Sequence, residues 1–208
     1  KRLDTITHYV QTKKIVPTTM EFVDIAGLIK GASKGEGLGN KFLGHIREVD
    51  AIAHVVRCFE DGNVPHVSDI IDPAADIDTI NTELMISDME SLDKRKTKIE
   101  KLAKSGDKEA RSQMEVLKKL IESINNGRPA RAVTGLSDED RNFVKSLALL
   151  SAKPVLYICN VMDPGDTNSE LVQKVKAIAE EDGSVVVALA GKIEGEIMEM
   201  EDPEEQQM

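Results

Sequence analysis

The apolar positions of this chain fall into two textures. Three short runs are apolar nearly throughout: Ala51 to Phe59 (AIAHVVRCF), Val155 to Cys159 (VLYIC) and Ser184 to Leu189 (SVVVAL). Runs of this length, rich in β-branched residues and bounded by turn formers, predict buried strands. Thr18 to Ile25 (TTMEFVDI) predicts a further strand, delivering Asp24 at its tip. Elsewhere the spacing is helical. Met85, Met89, Leu92, Ile99 and Ala103 recur at intervals of four and three, with Lys96 in one polar slot. Ser105-Gly106-Asp107 interrupts, and Ala110, Met114, Leu117, Ile121 and Ile124 resume the pattern. Two amphipathic helices joined by a tight turn make an antiparallel hairpin.

Shorter helices are predicted over 3–10, from an Asn40 cap to about Val49, from Ser137 to Leu150, and over 170–180 up to Gly183. Ser137 with Asp140 three residues on reads as a capping box with Asp in place of Glu. Residues 26–39 carry glycines at 27, 31, 35, 37 and 39. That density costs too much backbone entropy for a helix or strand interior, so the segment reads as a loop. Strands alternating with helices indicate an α/β sheet that is at least partly parallel, with the hairpin inserted between two of its strands.

Composition narrows the picture. The chain has 208 residues, 40% hydrophobic and 31% charged, with no Trp. This suits a globular chain with an aliphatic core and argues against wholesale disorder. Its formal charge of −10 disfavours a broad nucleic-acid surface; no DNA partner is expected. A local exception is the stretch 94–104, with Lys94, Arg95, Lys96, Lys98, Lys101 and Lys104, which reads either as a solvated face or as a contact for RNA or an acidic partner. The tail is acidic, with Glu or Asp at 194, 196, 199, 201, 202, 204 and 205, and reads as a fraying polar helix. Cys58 and Cys159 each sit inside an apolar run, which argues against a disulfide scaffold and for a reducing, cytoplasmic setting. No apolar run reaches about 18 residues and no signal peptide stands out, so no membrane association is expected. The chain opens at Lys1 rather than Met and reads as a fragment.

In open α/β sheets, ligands sit beyond the carboxyl ends of the strands. Three polar signals fall there. Asp24, at a strand tip, suits Mg²⁺ in a phosphate site, and Gly27 three residues on lets a backbone N–H approach a terminal phosphate. The competing reading is an Asp that caps its own turn. Asn160 and Asp163 are placed to read a nucleobase edge or, equally, are ordinary turn formers. Ala190-Gly191-Lys192 offers backbone for the other edge of a base. Lys30, Lys34 and Lys41 bracket the glycine loop and read chiefly as solvated charges. The four histidines show no metal-ligand spacing with the cysteines. No Ser/His/Asp or Cys/His arrangement is present, so no residue is assigned a catalytic role.

The run Asp24-Ile25-Ala26-Gly27-Leu28, continuing through GASKGEGLGNKFL at 31–43, resembles the Obg-like ATPase (YchF) family of translation-factor-related P-loop NTPases. The resemblance extends over PTTMEFVDIAG (17–27), DAIAHVVRCFED (50–61), DPAADIDTINTEL (72–84) and KPVLYICNV (153–161). It implies a P-loop NTPase, G-domain-like mixed sheet carrying an inserted helical hairpin. Residues 1–76 and 126–208 would form two parts of the nucleotide-binding domain, with 77–125 as the hairpin. It implies ATP and Mg²⁺ as cofactors, and a ribosomal or ribosomal-RNA partner. Asp24 would hold the metal; Asp24, Gly27, Asn160, Val161 and Asp163, with Ala190 and Gly191, would form the cofactor site.

Leu28 stands where many related GTPases place a water-orienting Gln. Slow hydrolysis is expected, with backbone, K⁺ or a partner positioning the water. Asn160-Val161-Met162-Asp163 lacks the Lys of the GTPase form Asn-Lys-x-Asp, yet carries Asp where family ATPases usually show Glu. ATP is preferred; the alternatives are a GTPase or a ribosome-binding regulator with nucleotide as effector. No GxxxxGK[ST] occurs in the 208 residues; it is expected upstream of Lys1, and a TGS-type domain beyond Met208. Residues 1–208 alone are therefore expected to bind ATP poorly, and calorimetry finding tight binding by the isolated chain would refute that.

Overall fold

The computed structural model describes residues 2–10, 12, 14–25, 38–64, 70–200, 202 and 206. In order these form α1 (Arg2–Tyr9), α2 (Leu38–Glu48), β1 (Ile52–Arg57), α3 (Pro73–Lys104), α4 (Lys108–Asn125), α5 (Asp138–Ser146), β2 (Val155–Asn160), α6 (Glu170–Asp182), β3 (Val185–Leu189) and α7 (Gly191–Met198). The strands form one parallel sheet in the order β1-β2-β3. Val56 lies opposite Cys159, and Arg57 opposite Asn160. All three strands therefore end on one edge, and the residues that follow them share it.

The three apolar runs form strands as expected, but neither β1 nor β3 is buried throughout. His54 and Val56 face the core, whereas Ala53 is exposed and Val55 is 62% exposed. The period-two alternation reflects cover on a single face, where α3 and α6 pack. On that face Val56, Ile77, Tyr157, Cys159, Val172 and Val175 are fully or almost fully buried. Cys58 and Cys159 are free, buried thiols, and the neighbouring Cys159 thiol together with burial keeps Cys58 protonated.

Residues 18–25 do not form the expected strand. They are irregular and, up to Asp24, exposed. A strand needs a neighbour for its backbone groups, and none of β1, β2 and β3 pairs with this segment. Two helix boundaries also differ. Asn40 is not a cap, because α2 already begins at Leu38. The capping box of α5 forms in full, Ser137 Oγ accepting from the Asp140 N–H and the Asp140 carboxylate accepting from the Ser137 N–H. The helix nevertheless stops at Ser146 rather than Leu150. Beyond it the Leu150 and Ser151 N–H groups donate to the Asp88 carboxylate at 2.8 and 2.7 Å, which pulls the chain off the helical path.

The hairpin forms as the spacing predicts. At 32 residues, α3 spans roughly 48 Å. The Asp72 side chain caps it by accepting from the Ala74 N–H, and Pro73 opens it. Asp107 caps α4 by accepting from the Ala110 N–H. Gly106, at φ +98°, makes the turn between them. Met85, Leu92 and Ile99 of α3 bury against Ala110, Leu117 and Ile124 of α4. Val116 and Leu120 are buried too, outside the expected stripe, because α5 covers a second side of α4 through Phe143, Val144 and Leu147.

A buried polar cluster ties the root of the hairpin to the sheet. Arg131, in a short 3₁₀ turn after the hairpin, donates to the Asp182 carboxylate at 2.7 and 2.9 Å, to Asn81 Oδ1 at 2.9 Å and to the Tyr157 hydroxyl at 3.0 Å. Its positive charge also bears on His54. Burial first, then Arg131, lowers the His54 imidazole to about 4. An imidazole held below its unfolded value of 6.5 contributes stability that is complete above pH 6.5 and is lost as pH falls toward 4. Urea unfolding is expected to show a loss of about 2 kcal/mol from this group between pH 7.5 and 5. The same comparison on His54→Gln should be flatter by that amount, and equal pH slopes would exclude the assignment.

Candidate functional site

Two of the three strand-end signals meet. Asn160 closes β2, and Ala190-Gly191 joins β3 to α7. The Gly191 N–H donates to Asn160 Oδ1 at 3.0 Å. This fixes the orientation of the amide. Its oxygen is engaged inside the protein, and its NH₂ group is left as the donor for anything beyond the strand end. Gly191 leaves room for this approach, because a Cβ there would stand 3.0 Å from Asn160 Oδ1 and the amide would have to yield. Ala190 is buried in the core cluster, and its carbonyl accepts from the Glu194 N–H to start α7. Lys192 is exposed, 4.0 Å from Glu196 on the same helix.

The other residues of the base-reading motif have local tasks. Val161 packs its side chain into the core, and its N–H donates to the Leu189 carbonyl at 3.0 Å, extending the β2–β3 pairing past the strand. The Asp163 carboxylate accepts from the Gly165 N–H at 3.0 Å and caps the 3₁₀ turn 164–166. That is the turn-forming role weighed from sequence.

Asp24 is exposed. Its neighbour Ile25 packs against the cluster of Leu43, Ile46, Leu84 and Leu150. Gly27, Leu28, Lys30 and Lys34, and with them the expected glycine loop, lie outside the described residues, as does the side chain of Lys41. Among the described residues no group of three His, Cys, Asp or Glu side chains is placed to hold a metal. A lone carboxylate still fits Mg²⁺, which is commonly bound through one or two carboxylates, water and substrate phosphates.

Arg57 escaped the reading from sequence. It ends β1 beside Asn160 in register, and its guanidinium donates to the carbonyls of Phe59, Asp61 and Val64 at 3.0–3.1 Å. It also lies over the Phe59 ring, 4.7 Å from its centre. Arg57 thus holds the loop after β1 in one shape along the edge that carries Asn160. The signal available was an arginine near the end of an apolar run, just before an acidic, glycine-containing turn.

The basic stretch 94–104 lies on the distal half of α3, next to the hairpin turn, and its six basic residues are all exposed. Lys94, Lys98 and Lys101 follow one helical stripe, on the side away from buried Leu92 and Ile99. Lys104 pairs with Glu100 at 2.8 Å, which leaves the local balance strongly positive. No described helix is long and apolar enough to cross a membrane.

The family profile described as "50S ribosome-binding GTPase" matches residues 2–119. A relative from Bacillus subtilis, a "Ribosome-binding ATPase YchF", is 50% identical over 208 residues, covering 99% of this chain and 57% of the relative. One of the same name from Haemophilus influenzae is 49% identical over 203 residues, covering 98% and 56%. Among solved structures, the Schizosaccharomyces pombe YchF GTPase is similar with a TM-score of 0.75 at 30% identity, covering 99% of this chain and 57% of that one. The chain thus spans a little over half the length of the relatives it matches.

The fit of Gly191 against Asn160 gives a direct test. Gly191→Ala is expected to shift the Asn160 side-chain NH₂ resonances and to cost about 1 kcal/mol of stability. Unmoved resonances in a folded variant would show that the close approach does not set the amide.

Proposed function

Because the chain belongs to the 50S ribosome-binding GTPase family, in its Obg-like YchF branch, we propose that it forms the sheet and hairpin of a cytoplasmic, ribosome-associated P-loop protein that hydrolyses ATP to ADP and phosphate. The observation that carries the purine-binding role is the Asn160–Gly191 hydrogen bond. With its oxygen engaged, Asn160 offers an NH₂ donor, which suits the ring-nitrogen acceptor N7 of a purine. Guanine would further need a carboxylate for its N1–H and exocyclic NH₂. Asp163 turns one carboxylate oxygen to the Gly165 N–H and keeps further acceptor sites, so the preference for adenine rests on the ATPase relatives. Two relatives bear the name ATPase; the solved relative is named a GTPase, and GTP remains the second reading.

In this proposal Asp24 helps hold Mg²⁺ and Gly27 meets the terminal phosphate, while the backbone at Val161, Ala190 and Gly191 lines the base. Mg²⁺ supplies charge neutralisation at the phosphates when bound. The Leu28 side chain has no hydrogen-bonding atom to orient water, so turnover is slow, and backbone, K⁺ or a partner takes over that task. The division into 1–76 with 126–208 as nucleotide-binding domain and 77–125 as hairpin belongs to the same reading. The exposed lysine stripe of α3 is assigned to the phosphate backbone of ribosomal RNA, since a cluster of six basic residues at one end of one helix gives an otherwise acidic chain a local polyanion contact.

One experiment on the intact protein tests both halves. Competition binding should favour ATP over GTP at least tenfold, and Asn160→Ala should weaken ATP by about tenfold, or roughly 1.4 kcal/mol. The triple reversal Lys94→Glu, Lys98→Glu and Lys101→Glu should reduce ribosome cosedimentation at least tenfold while leaving ATP affinity within twofold. A GTP preference would reverse the nucleotide assignment, and undiminished cosedimentation would remove the ribosomal role of the stripe.

A further inference from the structure

We infer that α2 mechanically links the Asp24–Ile25 segment to the helical hairpin, with Arg47 and Lys153 as the positioning residues that lock the link. Ile25, next to Asp24, packs into the cluster formed by Leu43 and Ile46 of α2, Ile80 and Leu84 of α3, and Leu150 ahead of β2. Leu84 and Leu150 are completely enclosed there. At the far end of α2 the contacts become polar. Arg47 Nη2 donates to Ser87 Oγ of α3 at 3.1 Å. Lys153 Nζ donates to the carbonyls of Arg47 and Val49 at 3.3 and 2.5 Å.

Those carbonyls lie at and just beyond the C-terminus of α2, where acceptors lack intrahelical partners and the helix dipole is negative, so a lysine is well matched to them. One residue past Ser87, Asp88 is the carboxylate that accepts from the Leu150 and Ser151 N–H groups. The end of α2 is thereby fastened to α3 on one side and to the segment before β2 on the other. A close-packed cluster moves between discrete arrangements rather than deforming smoothly. A shift of Ile25 is therefore passed through Leu43 and Ile46 to Leu84.

The inference rests on the proposed role of Asp24 beside a nucleotide. Its consequence is that ATP changes the seating of α3. By reciprocity, whatever holds the hairpin changes ATP affinity by the same factor.

Hydrogen exchange with mass spectrometry on the intact protein tests it, with ATP binding followed separately by calorimetry. Saturating Mg-ATP is expected to slow exchange in residues 80–90 of α3 at least fivefold. In Arg47→Met/Lys153→Met, ATP should still bind within twofold of wild type, while the response of α3 falls below twofold. Arg47→Met alone, at an exposed side chain, serves if the double variant does not fold, and should at least halve the response. ATP binding with no change in α3 would overturn the link and leave the nucleotide reading standing. Absence of ATP binding would overturn both. A response that survives in both variants would overturn the roles of Arg47 and Lys153.

Discussion

The buried ion pair between Arg131 and Asp182 is the contact on which the arrangement of this chain depends. Both side chains are only 6% exposed. The pair is not in itself a large source of stability, because desolvating two charges offsets most of their attraction. Its force is in what breaking it would leave behind. An unpaired buried charge costs about 3–5 kcal/mol, a large share of a domain's total stability. The cluster therefore admits one geometry. Arg131 follows the hairpin, Asn81 belongs to α3, Tyr157 to β2 and Asp182 to the end of α6. One guanidinium fixes the hairpin against the sheet and against the helix that joins β2 to β3.

The strand ends inherit that order. With α6 fixed and β3 in register beside β2, the turn after β3 comes up against Asn160, and its first helical N–H meets the amide oxygen. Arg57 does the same for the neighbouring strand by gathering three loop carbonyls. The site edge is thus preset by hydrogen bonds made within the protein. Such preorganisation lets a donor such as the Asn160 amide act without first being ordered by ligand.

Much of the fold was legible in the sequence because its signals are local. The 4-and-3 spacing of Met85 to Ile124 needs only a partner helix, and that partner follows after a three-residue turn. The capping box at Ser137 and the left-handed Gly183 that ends α6 are equally local. Expectations failed where an outcome depends on a distant partner. Thr18 to Ile25 has the composition of a strand, but among the described residues no strand pairs with it. The segment after Ser146 keeps helical residues, yet Asp88, some sixty residues away in sequence, takes its N–H groups. Asp163 and Asn160 looked alike as polar strand-end residues. Only the tertiary structure separates the carboxylate that caps its own turn from the amide held by Gly191.

By itself, the sequence determined most element types, the inserted hairpin, the strand-end position of the candidate site residues Asn160 and Gly191, and the cationic stretch of an otherwise acidic chain, because periodicity, turn chemistry and charge are written residue by residue. Tertiary structure alone decided which face of β1 is covered, which way Asn160 points, and that Arg131, Arg57, Arg47 and Lys153 each fasten segments far apart in the chain or shape a loop. The physical reason is that an arginine or lysine reads the same in sequence whether it meets water or a distant carbonyl. Burial and partner geometry, set by chain segments far apart, make the difference.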